Sequence, residues 1–165
     1  MNLKQFETNI ENVKAKSPEI YKDTMMLSIP FFMLHQKIYQ KGEELISNDF
    51  AINQSELDVL AALYYVSDGS YTMTPTQLYD VMIFSSGGMT KLLKKIESRE
   101  FIKRVDNPDD KRSKLVQITP LGQEITIKAL QGIISFEDEY FSKLDVSEQK
   151  VFQKLIYKML DKDNK

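Results

Sequence analysis

Six helix-start signals punctuate the chain, and they restrict it to short amphipathic helices interrupted once by a β-prone stretch. Asn53-Gln54-Ser55-Glu56 is a variant capping box ahead of a helix with Leu57, Leu60, Ala61 and Tyr64 on one face. Thr74-Pro75-Thr76-Gln77 opens a shorter helix through Leu78, Val81 and Met82, and Ser85 is expected to cap one containing Met89, Leu92, Leu93 and Ile96. Thr119-Pro120 and Asp145-Val146-Ser147-Glu148 start two more, and Ser17-Pro18 reads as a start with proline at the first helical position. Between them the period changes. Residues 101–105 and 114–118 are short β-prone runs joined by the turn formers of residues 106–113, which predicts a hairpin with a mobile tip. The order is four helices, a hairpin and two helices. The expected fold class is therefore mainly α with a small β hairpin: a winged helix-turn-helix over residues 53–119, plus a helical dimerisation lobe from residues 1–50 and 120–165.

Composition narrows the function. The chain has 165 residues, 42% hydrophobic and 28% charged, enough to bury a core beneath a charged surface. It holds no cysteine, which excludes a disulfide scaffold, a thiolate zinc site, a cysteine nucleophile and a thiol redox sensor. Residues 24–36 form the longest uncharged stretch, too short to span a bilayer, and the N-terminus has no apolar run that reads as a leader, so a cytoplasmic location is expected. Net charge is only −2, yet residues 85–114 carry nine basic and five acidic side chains. A basic field inside an otherwise acidic chain suits a polyanion, although a solvated charged face accounts for charge alone more simply.

The helix after Ser85 separates these readings. On a helical wheel Met89, Leu92, Leu93 and Ile96 fall within about 100° of one another, the width of a core stripe. Gly87, Lys91 and Lys94 fall opposite, flanked by Thr90 and Lys95. Small residues near the helix start permit close approach to a major groove, while hydroxyl and ammonium groups reach phosphates and base edges. The hairpin tip sets Lys111 beside Arg112, with Asp110 placed to orient the guanidinium. An arginine on a protruding loop suits a narrow minor groove. The expected DNA-contacting set is Thr74, Thr76, Ser85, Ser86, Gly87, Gly88, Thr90, Lys91, Lys94, Lys95, Asp110, Lys111 and Arg112.

These segments, in this order, resemble the MarR family of winged-helix regulators. Residues 54–60 (Gln-Ser-Glu-Leu-Asp-Val-Leu) are similar to the start of that family's second helix, and residues 85–97 to its recognition helix. Asp110-Lys111-Arg112 matches the aspartate-x-arginine element of its wing, and Ile118-Thr119-Pro120-Leu121-Gly122 and residues 144–149 resemble the starts of its last two helices. The resemblance covers about residues 31–160. It implies a homodimer on palindromic double-stranded DNA, often released by a small aromatic ligand, and a repressor is expected. It also implies departures: the family's peroxide sensors need a cysteine, and its zinc sensors use several histidines where this chain has only His35. The N-terminal segment, with Pro30 inside the expected first long helix, departs from the family's pattern.

Dimerisation has independent support. The helix after Thr119 carries two apolar stripes, one with Ile125, Ala129, Gly132 or Ile133, Phe136 and Tyr140, the other with Ile127, Leu130, Ile134 and Phe141. Seams through Phe31, Leu34, Ile38 and Leu45, and through Phe152, Leu155, Ile156 and Met159, add further surface than one small domain covers. Phe31, Phe32, Met33 and His35 are the candidate effector-binding residues within a methionine- and aromatic-rich patch. A core or dimer seam explains that patch more simply, and His35 reads as a packed or surface residue rather than a metal ligand. No cofactor or metal is expected. No phosphate loop, nucleophile elbow or ligand cluster points to an enzyme. The alternative function is a winged-helix protein-interaction module that does not bind DNA.

Overall fold

The computed structural model describes residues 2–82 and 88–161. Along them run helix α1 (Leu3–Lys16), α2 (Met25–Phe50), α3 (Gln54–Ala61), strand β1 (Thr72–Met73), α4 (Pro75–Val81), α5 (Met89–Ser98), β2 (Ile102–Asp106), β3 (Lys114–Ile118), α6 (Pro120–Phe141) and α7 (Val146–Leu160). A π turn, Ala62–Val66, continues α3. The chain divides into two compact units, residues 1–42 and 43–165.

In the first unit, the Ser17-Pro18 signal marks an end rather than a beginning. α1 starts at a capping box in which Asn2 and Gln5 satisfy each other's backbone N–H, and it stops at Ser17, whose N–H donates to Val13 at 2.8 Å. Proline just past a helix end cannot continue the ladder, so the dipeptide that opens one helix closes another equally well. Phe6 and Ile10 are the buried residues of α1. α2 accommodates Pro30 at its sixth position, where the missing N–H removes one bond to the preceding turn.

The second unit holds the winged helix. Its caps fall where the sequence places them: Asn53, Thr74, Thr119 and Asp145 each accept a backbone N–H from the first helical turn. α5 starts later than expected. Its N-cap is Gly88, in a left-handed conformation (φ 80°) that glycine adopts without strain, rather than Ser85, which lies outside the described residues. The α3 face also differs: Glu56, Leu57, Val59, Leu60, Ala62 and Leu63 are buried, while Ala61 and Tyr64 are half-buried at its margin.

The hairpin forms as expected, from Ile102 opposite Ile118 to Asp106 opposite Lys114. A third strand joins it. β1 pairs antiparallel with the other edge of β3, Thr72 opposite Gln117 and Met73 opposite Val116, giving the order β1-β3-β2. Leu78, Leu93, Ile96, Phe101, Ile102, Val116, Ile118 and Ala129 join Leu57, Leu60 and Leu63 in one core. That core binds α3, α4, α5, the sheet and α6 into a single rigid support.

Thr119 and Gly122 lock α6 onto this support. The Thr119 hydroxyl lies 2.7 Å from the Glu100 carbonyl and 3.1 Å from that of Phe101, and it accepts the Gly122 N–H at 3.1 Å. The Thr119 N–H donates to Phe101 at 3.0 Å. The helix start therefore rests directly on backbone, and only a residue without a side chain fits at Gly122.

Of the α6 stripes, Ala129 is buried in the core of its own chain, with Ile125, Leu130 and Ile133 packed against it. Ile133 therefore belongs to the fold of the single chain, whereas Ile134 stays 53% exposed. α7 contains no buried residue, and Val146, Val151, Leu155, Met159 and Leu160 are all exposed. Among the described residues no helix is long and apolar enough to cross a membrane.

Candidate nucleic-acid interface

α5 divides its residues as the wheel predicts. Leu93 and Ile96 are fully buried, Met89 and Leu92 pack half-buried against the core, and Thr90, Lys91 and Lys94 are exposed on the other side. The core thus fixes one face of the helix and leaves a hydroxyl and two ammonium groups on the other. Ser85, Ser86 and Gly87 lie outside the described residues, and Gly88 is the exposed N-cap. At the start of α4, the Thr74 hydroxyl accepts the Gln77 N–H at 3.1 Å, while Thr76 two residues along is exposed. Thr74 is thus engaged in starting its helix.

The wing is built by short side chains that fold its backbone. Asn107 Oδ1 accepts the Asp109 N–H at 3.0 Å, and its amide donates to the Ser113 hydroxyl at 2.9 Å. Asp110 Oδ1 accepts the Arg112 N–H at 3.0 Å, and the Arg112 Nε lies 3.4 Å from the same oxygen. Asp110 orients the guanidinium, yet the Arg112 side chain is 95% exposed. Lys111 beside it is exposed too, and at the base of the wing Lys114 pairs with Asp106 across the strands. An isolated exposed ion pair of this kind contributes little to stability, so the tip is held by its turn hydrogen bonds.

Lys95 differs from its neighbours. Its ammonium donates to Glu56 Oε2 at 2.8 Å, and Glu56 is 0% exposed. That same oxygen accepts the Asn53 N–H at 3.0 Å, so one carboxylate both starts α3 and holds α5. Arg99, at the end of α5, sits 3.7 Å from Glu56 Oε1 and donates to the carbonyls of Ala51 at 2.6 Å and Phe50 at 3.3 Å. Its guanidinium also lies over the Phe101 ring, 4.6 Å from the centroid. The capping role of Glu56 is legible in the sequence; its partners 39 and 43 positions later are not.

The candidate effector residues lie on α2. Phe31 and Phe32 are 48% and 65% exposed in the single chain and meet edge to face at 5.7 Å, while His35 stacks on Tyr39 at 6.0 Å. Met33 is half-buried. Among the described residues no group of three histidines, cysteines or carboxylates is placed to hold a metal ion.

Residues 52–113, from just before α3 through the turn of the wing, match the model of the MarR family. The multiple antibiotic resistance protein MarR of Salmonella typhimurium is 32% identical over 100 residues, covering 59% of this chain and 67% of the relative. The chain belongs to the MarR family. Its fold agrees: a crystal structure of a mutant MarR from Escherichia coli superposes with a TM-score of 0.68 at 26% identity, covering 82% of this chain and 96% of that one. A structure of mutant Escherichia coli MarR complexed with operator DNA matches at a TM-score of 0.63 and 25% identity, covering 85% of this chain and all of that one. As a MarR-family member the chain is a DNA-binding transcriptional regulator, and it is also 25% identical over 132 residues to the transcriptional regulator HosA of Escherichia coli, covering 78% of this chain and 98% of that one.

Proposed function

We propose that this MarR-family regulator works as a homodimer on a palindromic operator, with α5 in the major groove and the wing tip in the flanking minor groove, and that it represses by occupying that site. Residues 53–119 read the DNA, and the helices of residues 1–50 and 120–165 make the dimer. The observation that carries the reading is the α5 division: a buried apolar face fixes the helix while Thr90, Lys91 and Lys94 project outward. Arg112, almost fully exposed at the tip, supplies the second contact. Val146, Val151, Leu155, Met159 and Leu160 along α7, exposed in one chain, support pairing with a second copy.

Arg112→Ala is expected to weaken operator binding by about 1–3 kcal/mol, the scale of a lost specific contact. Lys94→Ala should weaken all sequences nearly equally and reduce the salt-dependence slope by about one unit per protomer, roughly two for the dimer, since it meets phosphate. Neither change should move the melting temperature, because neither side chain enters the core. Affinity against salt for wild type and both variants, with folding checked in parallel, tests the assignment. If both variants remain folded and dimeric with unchanged affinity, the protein-interaction reading replaces this one.

A small aromatic effector belongs to the same proposal, with the exposed Phe31–Phe32 pair as its platform beside Met33 and His35. Its signature is release of bound duplex on titration with an aromatic acid, lost in Phe32→Ala.

A further inference from the structure

A carboxylate with no exposure is unusual unless cations and N–H groups surround it. Glu56 meets that condition at Oε2, whereas Oε1 is buried without a hydrogen bond and has only the more distant Arg99 charge beside it. Oε2 takes Lys95 at 2.8 Å and the Asn53 N–H at 3.0 Å, and Arg99 approaches Oε1 at 3.7 Å. Arg99 in turn grips the carbonyl of Phe50, the last residue of α2, and that of Ala51 just beyond it. Lys95 lies in the last turn of α5 and Arg99 is its C-cap, whereas Thr90 and Lys91 lie in its first turn and Lys94 at its middle. The two ends of α5 therefore have separate tasks.

We propose that Glu56 is a positioning residue for DNA recognition: its buried carboxylate clamps the last turn of α5 through Lys95 and Arg99, fixing the angle at which the helix enters the groove and withholding the Lys95 charge from phosphate. The proposal rests on the DNA-binding reading above. Lys95 is exposed enough to reach a phosphate once released, with 53% of its side chain open to solvent. Removing the clamp therefore alters recognition in two ways. The helix loses its fixed angle, which weakens base-edge contacts, and one more cation per protomer becomes available to any sequence.

The experiment compares wild type, Glu56→Gln, Lys95→Gln and the double variant on two duplexes: one selected from a random pool by the wild-type protein, and one of random sequence. Affinity is measured across a salt series. Glu56→Gln is expected to lower the selected-to-random affinity ratio about tenfold, the scale of one lost base-edge contact. It should also steepen the salt slope on random duplex by about one unit for each freed lysine that meets phosphate. Lys95→Gln should leave the wild-type slope unchanged, and the double variant should return to it. A merely structural role would lower the folded fraction and move both duplexes together, leaving ratio and slope as they were.

An unchanged ratio in folded Glu56→Gln overturns the proposal, as does a slope reduced by about one for each lysine removed in Lys95→Gln. Should Glu56→Gln fail to fold, Lys95→Gln decides alone by the same criterion. Failure of the wild type to select any duplex would instead overturn the DNA-binding reading, which keeps the two outcomes distinct.

Discussion

Gly122→Ala is expected to destabilise the fold by about 3 kcal/mol or more, the upper end for overpacking by a single methyl. A Cβ at this position would lie 2.1 Å from the Phe101 carbonyl oxygen and 2.8 Å from Ile118 Cγ1. The first obstacle is backbone, and it is the acceptor that holds Thr119. Relief requires α6 to lift away from β2, which breaks the Thr119 bonds and opens the core beside Phe101 and Ile118. Melting should fall by roughly 6–12 °C at fixed protein concentration, given a chain of this size. Gly132→Ala is the control in the same helix. There the new methyl meets only the end of the Leu45 side chain at 2.9 Å, which can rotate aside. It should change stability by under about 1 kcal/mol, the gain in helix propensity offsetting the local adjustment. Equal losses at both glycines would contradict the packing of α6 described above.

Ile134→Glu together with Leu155→Glu is expected to abolish the dimer while the winged helix stays folded. Both side chains are more than half exposed in one chain, at 53% and 54%, so neither substitution places a charge in the core of that chain. In a twofold interface each is felt twice, and an unpaired carboxylate buried there costs about 3–5 kcal/mol. That range raises the dimer dissociation constant by more than about a hundredfold. Light scattering at micromolar concentration should report monomer, with helical circular dichroism retained. Ile133 is the wrong probe for this purpose, because it packs against the core of its own chain and a charge there would unfold the unit. A double variant that remains dimeric would move the interface away from α6 and α7.

The local grammar of this fold is written in short motifs, and it is read well where the deciding partners are three or four residues apart. The caps at Asn53, Thr74, Thr119 and Asp145 are of this kind, as is the hairpin, whose turn formers sit between two β-prone runs. Ser17-Pro18 misleads because proline favours both the first turn of a helix and the residue after its end. The Asn2–Gln5 box was the signal that could have settled it. β1 has no periodicity to detect, being two residues long, and exists only because β3 offers it an edge. At the candidate site, exposure of Lys91 and Lys94 follows from helical spacing alone. The engagement of Lys95 does not, since Glu56 reaches it only after α3 and α5 have packed. Likewise the assignment of Ile133 inward and Ile134 outward depends on how α6 sits on α3, which adjacent isoleucines do not reveal.

The proposed function sets the exposed α5 face and the wing tip of two paired chains on duplex DNA. Its most direct test is the affinity of the purified wild-type protein for its selected duplex, followed across roughly 50–200 mM salt. Lys91, Lys94, Lys111 and Arg112 are exposed in each chain, and a dimer presents them twice. With all of them engaged, log affinity should fall linearly with log salt at a slope of roughly −7, at about 0.9 per neutralised phosphate. The selected duplex should also outcompete random duplex throughout that range. No measurable binding at the low-salt end, or equal affinity for both duplexes, would contradict sequence-specific DNA binding by this face.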